Sequence, residues 1–317
     1  DILCRFPGSE FSPIMIPNLE GMLVSEINIY PIKSLKGISL ESSPVEKRGL
    51  RFDRRWMLTD RDGMFFTQRE VPKMAAIAVR LDSGKLIVES ESAGTLNIPF
   101  EPDRAMRQKV VVWQSEVAGD VYTGEVSEWF SDVLGRNCQL VLMPESSERH
   151  VSEKFDRGDD IVSFADGYPL MMLGEGSLAE VNERLHDKYR NEEYGAKLPL
   201  PMNRFRPNLV VQGSDPFEED NWSKIRVGEA IFWVVKPCAR CVMTTVDQAR
   251  GEFDGKEPLK TIASFRQAKD VFPGTFESLG QTANAVLFGE NLIPESPGST
   301  IRVGDDVEVL ETRKRPD

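Results

Sequence analysis

Only two stretches of this 317-residue chain carry a helical repeat, and that scarcity is what most narrows its fold. The remainder is a succession of short apolar runs, rich in β-branched and aromatic residues and broken by Gly, Pro, Asp and Ser. Runs of that kind read as strands and turns. Met22 to Ile32 alternates with the period of a half-buried strand. Trp56 to Thr59, Ala75 to Leu81, Lys85 to Glu89, Lys109 to Trp113, Cys138 to Leu142 and Leu209 to Val211 follow, with turns such as Asp82-Ser83-Gly84 between them. The first helix is expected from Gly124 to Gly135, with Val126, Trp129, Phe130, Val133 and Leu134 on one face and Gly135 at the C-cap. The second is expected to open at a capping box, Ser177 with Glu180, and to bury Leu178, Val181 and Leu185. With no internal repeat, the pattern predicts a β-rich α+β fold with barrel character.

The length allows two domains and a substantial core. A polar stretch, Pro144 to Asp160, is the natural connection, which divides the chain into residues 22–145 and 146–312. Residues 1–21 read as a cloning-vector tail, because Gly8-Ser9-Glu10-Phe11 resembles a restriction-site linker, with Met22 as the expected native start and Cys4 without functional weight. A formal charge of −12 argues against a nucleic-acid surface, which needs a basic face, and against docking on an anionic membrane. No run reaches the roughly 18 apolar residues of a membrane span. Four cysteines without framework spacing fit a reducing compartment, so a cytoplasmic protein is expected.

The chemistry concentrates in Lys236-Pro237-Cys238-Ala239-Arg240-Cys241-Val242-Met243-Thr244-Thr245-Val246-Asp247. Ala230 to Val235 before it reads as a buried strand. Pro237 lacks the N–H a ladder needs, so a turn is expected there, with Val242 to Val246 as the returning strand. Lys236 and Arg240 stand beside the two thiols, and adjacent cations favour the thiolate, the form that binds a soft metal. A zinc site would need a second pair of ligands, and Cys138, His150 and His186 are not spaced to supply one. A thioredoxin-like pair would open a helix rather than precede Thr244-Thr245-Val246. Two thiols packed in a loop, or one thiolate on a metal whose other ligands come from elsewhere, both remain open on the residues alone.

Basic loops accompany several strands. Lys33 and Ser34, in Pro31 to Gly37, offer a point charge, a hydroxyl and backbone N–H groups to a phosphate, or form a plain hairpin turn. Arg54 can fork onto a phosphate or pair at the surface with Asp53 or Asp60. Arg206 and Asn208 flank Pro207 at the head of a strand, an anion fork beside an amide that both donates and accepts.

Taken in order, Tyr30-Pro31-Ile32-Lys33-Ser34, Asp53-Arg54-Arg55-Trp56, Phe205-Arg206-Pro207-Asn208, the cysteine motif, Lys256 to Thr261, Ser264-Phe265-Arg266, Phe288 to Asn291 and Ile301 to Asp305 resemble the MOSC family (molybdenum-cofactor sulfurase C-terminal domain), nearest its amidoxime-reducing branch. The resemblance runs from Met22 onward. It implies a MOSC β-barrel domain with an N-terminal β-rich subdomain. It also implies a molybdenum cofactor, held through its pterin dithiolene and by one protein thiolate, Cys241. Lys33, Ser34, Arg54, Tyr168, Arg206, Asn208 and Arg240 are the implied cofactor-binding residues. The implied reaction is two-electron reduction of N-hydroxylated compounds such as amidoximes or N-hydroxylated bases. Electrons would come from a separate carrier, a ferredoxin or cytochrome b5-like protein with its reductase, since no cysteine follows Cys241 for an iron–sulfur domain. At Asp166-Gly167-Tyr168-Pro169 this chain departs from the family pattern, because Gly167 stands where relatives carry a hydroxyl. Asp247 and Glu252 lie within chain reach as proton donors or as turn residues. The competing expectation is a cofactor or sulfur carrier, with a persulfide on Cys241 and no turnover.

Overall fold

In the computed structural model, described for residues 21–104 and 106–313, strands dominate. All but the last residue of the expected tail therefore lies outside the described residues. An eight-stranded sheet forms the largest layer. Its order is Ile38–Leu40, Leu23–Ile29, Leu209–Gln212, Leu170–Gly174, Val286–Pro294, Ala230–Arg240, Trp222–Val227 and Val307–Thr312. The first long strand of the chain thus pairs antiparallel with Leu209–Gln212, Ile27 opposite Leu209, so this sheet draws on both ends of the sequence. A four-stranded sheet carries Trp56–Thr59, Gln139–Leu142, Ser115–Val121 and Met106–Val112, and a three-stranded meander runs from Ala78 to Pro99.

Two apolar clusters hold these layers. One packs Val24, Ile27, Met172, Leu209, Ile225 and Phe232 against the large sheet. The other surrounds Trp56, Leu58, Phe66 and Phe130 between the meander and the Glu125–Leu134 helix. That helix ends as its sequence predicts, at Gly135 in the left-handed conformation (φ 67°).

Three local expectations are corrected. The second helix spans Glu175–Tyr189 and starts before Ser177, so no capping box forms. The Ser177 hydroxyl instead donates to the buried Glu219 carboxylate at 2.7 Å, and that carboxylate also accepts the Gly174 N–H at the helix entrance. A carboxylate supplied by tertiary packing has taken the role of a local cap. Ala75 and Ala76 belong to a 3-10 turn, Pro72–Ala76, and the strand begins at Ala78. Val242 to Thr245 forms a 3-10 turn rather than a strand, and only Val246–Asp247 is extended. The threonines explain this: Thr244 Oγ1 donates to the Cys241 carbonyl (3.0 Å) and Thr245 Oγ1 to the Val242 carbonyl (2.8 Å), closing the turn against a ladder. No helix among the described residues is long and apolar enough to cross a membrane.

Candidate cofactor cavity

The strand leading to the cysteines does not turn at Pro237. It continues from Ala230 to Arg240, passing the proline by slipping register between Val234 and Lys236 and again between Pro237 and Ala239. Carbonyls that the irregular ladder leaves open are met by side-chain amides. Asn291 Nδ2 donates to the Lys236 carbonyl (3.0 Å) and Gln281 Nε2 to that of Pro237 (2.6 Å). Cys238 therefore lies on the strand, while Cys241 caps the 3-10 turn with an extended backbone (φ −133°). Both are free thiols of intermediate exposure.

Both thiols open onto one cavity, about 830 Å³ of free space when the open solvent at its mouth is included. Lys33, Ser34, Arg54, Tyr168, Arg206, Asn208, Arg240 and Cys241, the eight residues singled out above, all line it. Its wall carries six cations, Lys33, Arg54, Arg69, Arg204, Arg206 and Arg240, against one carboxylate, Asp166. Three of these residues, Ser34 (φ 69°), Arg54 (φ 48°) and Arg206 (φ 57°), adopt left-handed backbone that a non-glycine residue occupies at a cost of about 1–2 kcal/mol. Strain of this kind gathers where a fold must aim a side chain.

Lys33, Arg204 and Arg206 are buried, the other three cations are partly so, and they crowd one another. The Arg54 and Arg206 guanidinium carbons lie over the same Tyr30 ring, 4.3 and 4.1 Å from its centroid. Burial pulls Arg206 down to about 10, with the Arg54 charge acting in the same direction. Burial likewise draws Lys33 down to about 8, although Asp166 opposes it. Lys33 Nζ reaches Asp166 Oδ1 at 2.5 Å and the Phe164 carbonyl at 2.8 Å. Burial works to raise the Asp166 carboxyl, but Lys33 and Arg69 together hold it well below the ordinary range. Half of that side chain (55%) faces the open cavity, so water screens these pairings.

Several roles differ from expectation. Arg240 serves Cys238, with Nη1 3.1 Å from that sulfur, and its Nη2 donates to the Phe205 carbonyl at 2.6 Å. The cation at Cys241 is Arg69, whose Nε lies 3.3 Å from the sulfur and whose Nη2 pairs with Asp166 at 3.2 Å. Lys236 does not line the cavity; its ammonium stands 5.5 Å from the Phe155 ring centroid. Asn208 spends its amide inside the protein: Oδ1 accepts from Arg54 (2.8 Å) and from the Met171 N–H (3.1 Å), while Nδ2 donates to the Asn28 carbonyl (3.0 Å). It aims Arg54 instead of presenting a free edge. The Arg54–Asp53 pair exists at 2.6 Å, but buried rather than at the surface. Asp247 caps its own turn and pairs with Arg250, Glu252 is exposed, and His150 pairs with Asp159; none of the three lines the cavity.

Arg69, Asp166 and Arg204 are the lining charges that sequence reading missed. Arg69 stands 172 positions before Cys241 in a stretch without a recognisable pattern. Asp166 had a faint signal, being the charged neighbour of Gly167 and Tyr168. Six lining cations against one carboxylate suit an anionic guest. Arg69 Nη1, Arg204 Nη1 and Arg240 Nε are buried without a hydrogen-bond partner, each costing about 1–3 kcal/mol. At Gly167 an added Cβ would meet no heavy atom within 4 Å, so the missing hydroxyl leaves room and not a clash. Among the described residues no group of three or more His, Cys, Asp or Glu side chains could hold a metal unaided.

The sequence matches the MOSC N-terminal beta barrel domain over residues 21–137 and the MOSC domain over residues 159–308. It is 30% identical over 296 residues to mitochondrial amidoxime-reducing component 1 of Homo sapiens, covering 90% of this chain and 82% of that protein. The chain belongs to the MOSC family. Mitochondrial amidoxime reducing component 2 of Rattus norvegicus is 31% identical over 295 residues, with the same coverage. Molybdenum cofactor sulfurase of Oryza sativa subsp. japonica is 35% identical over 271 residues, 80% of this chain, and this chain spans 33% of that protein's length. Within the MOSC architecture the cavity lies between the two matched segments: the N-terminal one supplies Lys33, Ser34, Arg54 and Arg69, and the MOSC domain supplies the rest of the wall. The stretch joining them carries Arg149, whose guanidinium donates to the carbonyls of Ser163, Ala165 and Asp166 and so fixes the segment that holds Asp166.

Proposed function

We propose that this protein is a molybdenum-cofactor-dependent reductase of N-hydroxylated compounds such as amidoximes. The observation that carries the reading is one half-open thiol, Cys241, facing six cations whose buried donors are not all satisfied. A phosphate-bearing, dithiolene-bound metal needs just such a wall, since a buried dianion is expensive unless paired and hydrogen-bonded. Kinship to proteins named amidoxime-reducing component, across 90% of the chain, supplies the reaction class.

In this reading Cys241 holds the metal, and Lys33, Ser34, Arg54, Arg206 and Arg240 receive the phosphate and pterin, with Tyr168 closing one side. Bound there, the cofactor supplies the two-electron reducing chemistry. The chain's own residues orient and shield. Asn208 and Asp53 fix Arg54, and the Gln68–Gln248 amide pair ties the Ser34 carbonyl to Arg206. Asp166, held ionised, keeps Lys33 and Arg69 in place and is not a proton store at neutral pH. Electrons arrive from a separate carrier of the ferredoxin or cytochrome b5-like type.

Elemental analysis after expression in a cofactor-competent host tests the reading first: about one molybdenum per chain is expected, with reduction of an amidoxime by an artificial electron donor. Absence of molybdenum with a persulfide on Cys241 would favour the carrier, a reading that the likeness to the C-terminal part of a cofactor sulfurase also supports. Molybdenum without turnover would leave a cofactor-binding module.

A further inference from the structure

Against two of the lining residues, Asp166 and Arg69, packs a side chain that does not itself line the cavity, Trp113. Trp113 sits in the turn between the strands Met106–Val112 and Ser115–Val121, 45% exposed as a residue and with its backbone in the left-handed region (φ 57°). A bulky residue there is a genuine outlier, and its ring is nevertheless tightly specified. The Arg69 guanidinium lies 4.8 Å from the ring centroid, and Phe65 meets it edge-on at 5.1 Å and 67°. Its indole Nε1 donates to Asp166 Oδ1 at 3.3 Å, the same oxygen that Lys33 holds. Phe65 in turn faces the Lys33 ammonium at 5.6 Å. Indole, lysine and arginine thus converge on one half-exposed carboxylate of a cationic cavity, and the Phe65 ring packs against the indole and the lysine. Trp113 leaves nearly half its surface open to solvent.

We propose that Trp113 is a specificity residue, whose exposed ring receives the flat, conjugated part of an N-hydroxylated substrate while the N–O group enters the cavity. This deepens the proposed reaction and rests on it. Arg69, Phe65 and Asp166 hold the ring in place, and its remaining surface is left open for a flat ligand. Aromatic stacking has the right size for selectivity, since offset or edge-on pairing adds roughly two- to tenfold in affinity beyond area burial, and losing the buried ring area adds to that. The contacts to Arg69 and Asp166, both lining residues, make the ring a direct neighbour of the cavity wall.

The test compares benzamidoxime with acetamidoxime, which share a head group and differ in the ring, on the molybdenum-loaded protein with an artificial electron donor. Trp113→Ala lowers the ratio of the two kcat/KM values about tenfold, through the KM of benzamidoxime rather than its kcat. Trp113→Phe, which keeps a ring but loses the Nε1 donor, retains most of the ratio. Calorimetric titration of both amidoximes without reductant reads the same preference in the absence of turnover, so an inactive preparation, which would count against the proposed reaction, still decides this point. An unchanged ratio in Trp113→Ala overturns the proposal, as does a Trp113→Phe variant that loses the ratio as fully as Ala. Equal loss for both amidoximes overturns it too and makes Trp113 a positioning residue for Asp166 and Arg69.

Discussion

Two of the places where this protein clusters buried arginines are built on opposite principles. Beneath the Glu175–Tyr189 helix, Arg266 makes a two-pronged pair with Asp220 (2.7 and 2.8 Å), and Arg313 grips Glu290 with both terminal nitrogens (3.1 and 2.5 Å). Arg313 also donates to the carbonyls of Asp220 and Val234, and Glu219 is taken by Ser177 and Gly174. Among these five charged side chains no buried nitrogen or oxygen lacks a partner. At the cavity six cations face one carboxylate, and three buried guanidinium nitrogens have none. A saturated cluster belongs to the fold alone. A cluster with an excess of cations suits an anionic guest, because a ligand that binds only the folded state adds to its stability.

The sharpest way to break this contrast is at the sulfur. Cys241→Ala is expected to abolish molybdenum retention and amidoxime reduction, whereas Cys238→Ala, which removes only the Arg240-bonded thiol, keeps the metal and most of the rate. Equal losses, read by elemental analysis and steady-state assay, would make the two thiols a redox pair instead. Next in size is the saturated cluster. Arg313→Ala strands Glu290, fully buried, and should cost about 3–5 kcal/mol in urea unfolding whether or not cofactor is present. The matching change at the cavity, Arg206→Met, should leave the cofactor-free protein within about 1 kcal/mol of the wild type while molybdenum content falls. If both substitutions destabilise alike, the distinction between the clusters fails.

A pH series sharpens the same point. Lys33 has a folded pKa of about 8, below its ordinary 10.5, so between those values the unfolded chain holds more protons than the native one. Stability of the cofactor-free protein should therefore gain from this group as pH rises from 8 to 10.5. Anion retention should weaken over the same span as Lys33 loses its charge. Parallel slopes in thermal unfolding and cofactor-release measurements would remove Lys33 from the anion's partners. The smallest effect is expected from Gly167→Ser, which has open space around it and should shift stability by less than about 0.5 kcal/mol while restoring a hydroxyl beside the cavity.

Much of this was written in local pattern. The Glu125–Leu134 helix follows from periodicity. The strands at Leu23–Ile29 and Trp56–Thr59 stand where apolar runs put them, although a register shift between Val24 and Glu26 breaks the expected alternation of the first and the second is buried throughout. Ordered motifs marked eight residues that share the cavity wall. Local pattern failed where a distant group intervened. Glu219 displaced the expected cap at Ser177, and the amides of Asn291 and Gln281 let a strand run through Pro237.

From the residues alone came the β-rich architecture, the two thiols with their neighbouring motifs, and an acidic chain that keeps cations in particular loops. Only the tertiary structure decided which cation meets which sulfur, that Asn208 turns inward to aim Arg54, and that Trp113 meets Asp166. The reason is one of range. Strand and helix patterns are set by neighbours a few positions away, whereas a hydrogen bond between Arg69 and Cys241 joins residues 172 apart, and nothing local to either one records where packing will bring the other.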